Sequence, residues 1–270
     1  MTALTATAQP RRGFVPLVRA DFLKLRKNRG LVWTSALMTI GVVSVMYAIL
    51  AIVHTSNPAK HGPAGGINNL GHGVFLLAMV GSVAAVLIGA AAGAADLVSG
   101  VFRELVVTGR SRVALFASRV PGGLAVILPL VTAAVAVMAA ASIGLTDSLP
   151  APSYALMVEI GAWLALEVGF YFALALGLGS LIGSRAQTIG ILLAWRLAVL
   201  PIVSGIAALG IGRDAFPGAT IDRLAPGQLH SALGAGATLA TSVTAAVLAI
   251  LAWMLGVLAL GAWRTATRDA

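Results

Sequence analysis

Long apolar runs separated by short polar segments rich in Gly, Pro and charge repeat along the whole chain. Six of these runs approach or exceed the ~20 residues a helix needs to cross a bilayer. They cover residues 31–53, 74–95, 113–143, 154–182, 188–209 and 235–263, and each predicts a transmembrane helix. The third contains Pro121 and Pro129, which predicts a late start or a kink. The fourth and sixth are long enough to tilt or to extend beyond the bilayer. Two polar interruptions carry helical patterning of their own. In residues 14–29, Phe14, Val18, Phe22 and Leu25 share one face, while Arg19, Lys24, Arg26 and Lys27 spread over the rest. That pattern predicts a basic amphipathic helix lying along the headgroup region. In residues 96–112, Leu97, Val101, Leu105 and Val106 recur at helical spacing, Arg103 and Glu104 fall off the stripe, and Gly109 follows as a helix stop. This predicts a short amphipathic helix between spans two and three. The expected fold is therefore all-α, a single membrane domain over residues 1–270 with six spans.

Composition agrees with this patterning. Charged residues make up 10% of the chain, apolar residues 59%, and the mean hydropathy is +0.97. A soluble domain carries roughly 25% charge, so the bilayer is the expected solvent. The net charge of +9 raises the question of nucleic acid. The basic residues flank the apolar runs instead of forming one face, which favours membrane topology and no nucleic-acid partner. With the N-terminus inside, fourteen of the 18 Lys and Arg fall on the inner side. Seven precede span one, four lie from residue 103 to residue 119 around the junction of spans two and three, Arg185 stands alone, and two are in the tail. Lys60, Arg213 and Arg223 fall outside. This asymmetry predicts cytoplasmic N- and C-termini and a cytoplasmic segment 96–112.

Little in the chain suggests catalysis. There is no G-x-x-x-x-G-K-[ST], and the three lysines, at 24, 27 and 60, follow no glycine-rich loop. No nucleotide or other cofactor is therefore expected on this chain. There is no Cys, and His54, His61, His72 and His230 form no metal-ligand spacing, so no metal site is predicted. No nucleophile motif surrounds any serine. Three ionisable residues sit within spans: Glu159, Glu167 and Arg196. Such residues usually face protein or water, and two readings follow. One is an ion pair between adjacent helices; the other is proton carriage by the two glutamates in a secondary transporter. Counted from the helix ends, Glu167 and Arg196 differ in depth by roughly 10 Å, a gap that a long arginine side chain partly closes. Gly81, Ala85, Gly89 and Gly93 recur every four residues along span two. The stripe fits close helix packing, and it also fits bulk Ala/Gly composition.

The 96–112 segment resembles the cytoplasmic loop of bacterial ATP-binding cassette (ABC) permeases of the type-2 exporter class. Asp96 takes the family's acidic place, Gly100 its glycine and Arg103 its arginine. Thr108, Ser111 and Arg112 match a Thr-x-x-Ser-Arg element, and Arg119 stands where the family has lysine. Val101 replaces a Thr and Gly109 a Pro. The Ala20–Arg26 stretch, with Asp21, Lys24 and Arg26, is similar to the family's interfacial elbow helix. Leu176–Ile182 is similar to its Gly-Leu-Gly-x-Leu segment, and the Arg-Asp-Ala end to its basic terminus. The resemblance implies a permease subunit of an ATP-driven exporter in the bacterial inner membrane, itself not an enzyme. ATP and Mg would bind a separate ATPase subunit, and a second permease chain would complete a homo- or heterodimer. It also implies that Asp96, Gly100, Val101, Phe102, Arg103, Leu105, Thr108, Ser111 and Arg112 form the coupling helix against that ATPase. The cargo stays open. A proton-coupled transporter using Glu159 and Glu167, and a non-transporting anchor or sensor subunit, are the alternatives.

Overall fold

Spans two and four form the axis of the bundle, and small residues are what let them do so. The computed structural model describes residues 13–107, 109–206, 216–229 and 242–268, except for the side chains of residues 102, 103, 204 and 205. The described residues are helical in the main and contain no strand. Six helices are long and apolar enough to cross a membrane: Arg29–Ser56, Gly66–Val98, Arg112–Gly144, Tyr154–Ile182, Arg185–Val203 and Val243–Thr267. In spans two and four 67% of the apolar window is buried, against 28% or less in the others. The remaining four therefore surround a central pair.

The glycine stripe of span two is the contact surface of that pair. A Cβ on Gly89 would lie 2.5 Å from the Phe172 carbonyl oxygen, and one on Gly93 would lie 2.5 Å from that of Leu176. No side chain fits at those distances, so the stripe reflects packing, not composition alone. In a bilayer, where apolar side chains gain little from leaving lipid, such close backbone approach is a main source of helix association. Span four repeats the device on its other side: a Cβ on Gly177 would meet the Val257 carbonyl oxygen of span six at 2.5 Å. Gly123 of span three makes room for the ring of Phe172.

The element ends differ from the hydropathy limits where polar residues continue a helix. Span two begins at Gly66, not 74, and its first turns contain Asn68, Asn69 and His72. Asn69 Nδ2 donates to the Pro63 and Ala64 carbonyls at 3.0 Å, holding those turns to the preceding loop. Hydropathy marks the apolar zone; the hydrogen-bonded helix outlasts it. Span three breaks at Ser118, between Arg112–Ala117 and Arg119–Gly144. Pro121 sits in the first turn of the second piece, where a missing N–H costs little, and Pro129 lies inside that helix. Span five contains a π-helical turn over Trp195–Val199, as span one does over Leu37–Gly41. The expected ends of span five near 209 and of span six near 235 lie outside the described residues. Span six extends to Thr267, beyond the expected 263.

The N-terminal segment is a helix, Phe14–Lys27. Asn28 ends it and caps the next helix, accepting from the Leu31 N–H at 3.2 Å. Leu25 of its apolar stripe is buried, and Val18 and Phe22 are half-buried. The helix lies against Gly122 of span three, whose added Cβ would meet Asp21 at 2.8 Å. The 96–112 segment is not one helix. Asp96 and Leu97 belong to span two; the chain then turns at Gly100, in the left-handed region with φ of +72°. A separate helix covers Val101–Val107, Gly109 follows at φ +76°, and Arg112 already opens span three. Leu97 therefore does not share a helix with Val101 and Leu105, because the glycine conformation interrupts the periodicity.

Candidate functional site

Two polar clusters interrupt the apolar bundle. The first lies where the N-terminal helix meets the ends of spans two, three and four. Asp96, in the last turn of span two, has a side chain only 6% exposed and takes two cations. Arg119 Nη2, at the start of the main span-three helix, donates to Asp96 Oδ2 at 3.0 Å. Lys24 of the N-terminal helix pairs with the other carboxylate oxygen. Arg119 is itself fully buried, and its Nη1 donates to the Gly93 carbonyl at 3.1 Å, which Ser180 of span four also reaches at 3.2 Å. Ser118 Oγ donates to Asp21 Oδ2 at 2.6 Å. One connected network thus joins four elements. Burial pushes the Asp21 carboxyl above its ordinary 3.8; the Ser118 hydrogen bond and the charges of Arg119 and Lys24 oppose this, and the Asp96 charge adds to it. A cavity of about 10 Å³ lies among Asp21, Lys24, Leu25, Ala92 and Arg119, beside an Arg119 Nε that has no hydrogen-bond partner. It is about the size of one water.

The second cluster lies in the middle of the spans. Arg196, inside the π-helical turn of span five, donates from Nη2 to Glu167 Oε1 of span four at 2.9 Å. Its Nε reaches Ser82 Oγ of span two at 3.4 Å, and its guanidinium lies 5.3 Å from the Tyr171 ring centroid. The arginine closes the depth gap, and the two ionisable residues form an inter-span pair. Glu167 is buried, and among the described residues its Oε2 and the Tyr171 hydroxyl lack hydrogen-bond partners. One turn away on span four, Trp163 Nε1 donates to the Ile221 carbonyl at 2.9 Å. Ile221 belongs to a short helix, Pro217–Arg223, that packs into the bundle between spans five and six in the chain. Asp222, the next residue, adds its negative charge to the field at Glu167 and Arg196. Trp195 stacks on Phe216 with centroids 5.9 Å apart, tying that loop to span five.

The residues singled out in the sequence separate into three sets. Asp21, Lys24 and Asp96 enter the first cluster, whereas Arg26 stays exposed. Glu167 and Arg196 enter the second, whereas Glu159 is exposed two turns away. Gly100, Val101 and Leu105 remain on the connecting segment; Ser111 caps the helix after it, accepting from the Ala114 N–H at 3.4 Å. Arg112 is turned to the chain's end, donating to the carbonyls of Ala266 and Arg268. Thr108 and the side chains of Phe102 and Arg103 lie outside the described residues. Asp96 is thus an interior residue, not one on the loop surface.

Sequence reasoning missed Ser118, Ser180, Ser82, Trp163 and Tyr171, and it named Arg119 only as the residue in the family's lysine position, not as an interior partner of Asp96. A signal existed for Trp163 and Tyr171. Glu159, Trp163, Glu167 and Tyr171 recur every four residues, one polar and aromatic stripe along an otherwise apolar helix. The serines carried no such signal, because their partners come from other spans. No family model and no curated protein matches the sequence.

Proposed function

We propose that this chain is the membrane-spanning permease subunit of an ATP-driven exporter of the type-2 ABC class, working with a separate ATPase subunit and a second permease chain. The carrying observation is the Val101–Val107 helix. It stands outside the spans, between two glycines in the left-handed region. Val101 and Val107 on this helix, and Val98 at the end of span two just before it, expose apolar side chains, at 40, 81 and 69%. Exposed valines inside a span face lipid; at this polar end of the bundle they fit the apolar part of a protein interface.

The segment is rooted at both ends in the first cluster, through Asp96 before it and Arg119 after it. A push on the short helix is therefore delivered to spans two, three and four together, and through Lys24 to the N-terminal helix. That connection is what a coupling element requires. The excess of Lys and Arg on this side places it in the cytoplasm in our reading, with both termini. The Phe14–Lys27 helix lies at the inner headgroup surface in the same reading, its charged face toward phosphates.

The test is co-expression with ABC ATPase subunits from the same genome, beginning with any whose gene adjoins this one. The wild-type chain should co-purify with one of them and show no ATP hydrolysis alone. Val107→Glu, at an exposed position, should abolish co-purification and leave the melting temperature of the isolated chain unchanged. Normal association of that variant, or robust hydrolysis by the isolated chain, overturns the reading.

A further inference from the structure

Beyond the Glu167–Arg196 pair, toward the Tyr154 end, span four borders an open cavity of about 440 Å³. Small-molecule sites occupy roughly 300–1,000 Å³. Glu159, Ala162, Trp163 and Leu166 form the span-four wall, and Leu224, Ala225 and Pro226 form the opposite one. Glu159 is the one charged residue among these seven. Among the described residues its carboxylate has no ion pair and no hydrogen bond. Trp163 stands one turn deeper on the same face, and its bond to the Ile221 carbonyl fixes the orientation of the indole. A further turn inward, about 6 Å along the axis, Glu167 is already matched by Arg196. The unmatched charge facing the cavity is therefore that of Glu159.

A cavity with one free carboxylate, an oriented indole and aliphatic walls is selective by charge and by shape. An anion is repelled by Glu159. A sugar or peptide would bring many donors and acceptors to walls that offer few. A cation with an apolar body satisfies each feature: the carboxylate supplies the opposite charge, the indole lends an aromatic stretch of wall, and the leucines and alanines cover the body. We infer that this cavity is a binding site for lipophilic organic monocations, with Glu159 as counter-charge and Trp163 as aromatic wall. That such a cation is cargo rests on the exporter reading above; that it binds here does not.

The experiment uses the full chain in zwitterionic lipid nanodiscs, without ATPase or nucleotide. The probes are tetraphenylphosphonium and tetraphenylborate, nearly the same shape with opposite charge. Equilibrium dialysis against empty discs separates protein binding from partition into lipid. Saturable binding of the phosphonium and none of the borate is expected. Glu159→Gln should weaken phosphonium binding about tenfold, the loss of one charge-assisted contact. Ala162→Leu, which reduces the cavity and keeps the charge, should weaken it as well. Glu104→Gln, at an exposed carboxylate on the Val101–Val107 helix, should change nothing. Equal binding of both probes, or full phosphonium affinity in Glu159→Gln, overturns the site. Failure here leaves the exporter reading standing. A bound cation that the assembled complex does not move with ATP would show that it is not cargo and leave the site.

Discussion

The two polar clusters both join spans through a buried carboxylate and a guanidinium, yet they are built differently. Around Asp96 both carboxylate oxygens have cations, and Arg119 also holds the Gly93 carbonyl. Around Glu167 one oxygen is bonded and the other is not, the Tyr171 hydroxyl is unpartnered, and the arginine is 24% exposed. The backbone follows the same division. Arg119 starts a regular helix packed on glycines, whereas Arg196 sits in a π-helical turn, a form found mostly as an insertion at functional positions. A buried carboxylate paired at both oxygens rigidifies what it joins, even with Arg119 Nε unbonded beside a water-sized cavity, whereas one paired at a single oxygen leaves neighbouring arrangements close in energy. The first cluster is a joint that carries force between elements. The second is a contact able to rearrange.

The sharpest way to break this comparison is Arg119→Met. It leaves Asp96 buried with Lys24 alone, whose side chain is 41% exposed. Removing one partner of a buried pair costs about 3–5 kcal/mol; the remaining lysine places the expected loss near the lower end. Thermal unfolding in detergent measures it, and a loss as small as that of Glu167→Gln would erase the distinction between the clusters.

A smaller effect is expected at the second cluster. Glu167→Gln keeps an acceptor for Arg196 and should cost about 1–2 kcal/mol, with partial rescue by Arg196→Met. A double-mutant cycle on thermal stability reads the coupling. Additive losses would mean that the 2.9 Å pair contributes no coupling energy. If a proton gradient drove transport through these glutamates, vesicle transport would respond to a protonophore and ignore ATP; the exporter reading predicts the reverse.

The smallest effect concerns pH. Because burial raises the Asp21 carboxyl above 3.8, the native state holds an extra proton between the unfolded and folded values. The contribution of this group to stability is therefore greatest below 3.8 and falls as pH rises through the folded value. Asp21→Asn still accepts from Ser118 and removes that slope. The variant should melt higher than the parent above the window, and the difference should shrink as pH falls toward 3.8. A parallel pH profile in the two proteins would show that Asp21 is not desolvated in the native state.

The six apolar helices and the basic excess at one set of their ends are legible along the chain, because crossing a membrane imposes length and composition on each segment separately. That Gly81, Gly89 and Gly93 line one stripe is legible too, since helical periodicity is a local property. Which of these features meet depends on how the helices pack. The stripe faces span four because the Phe172 and Leu176 carbonyls approach where no Cβ fits. Asp96 reads as a loop residue in the chain, for it ends an apolar run beside a charged segment. It is interior because Lys24, far earlier in the chain, and Arg119, beyond the loop, converge on it. Glu159 and Glu167 look alike in sequence, both acidic and on one stripe of one span. Arg196 reaches only the second, and that single contact makes one a partner in the bundle and leaves the other facing a cavity. Such distinctions depend on distances between helices, and a periodicity along one helix contains no information about its neighbour's depth or rotation.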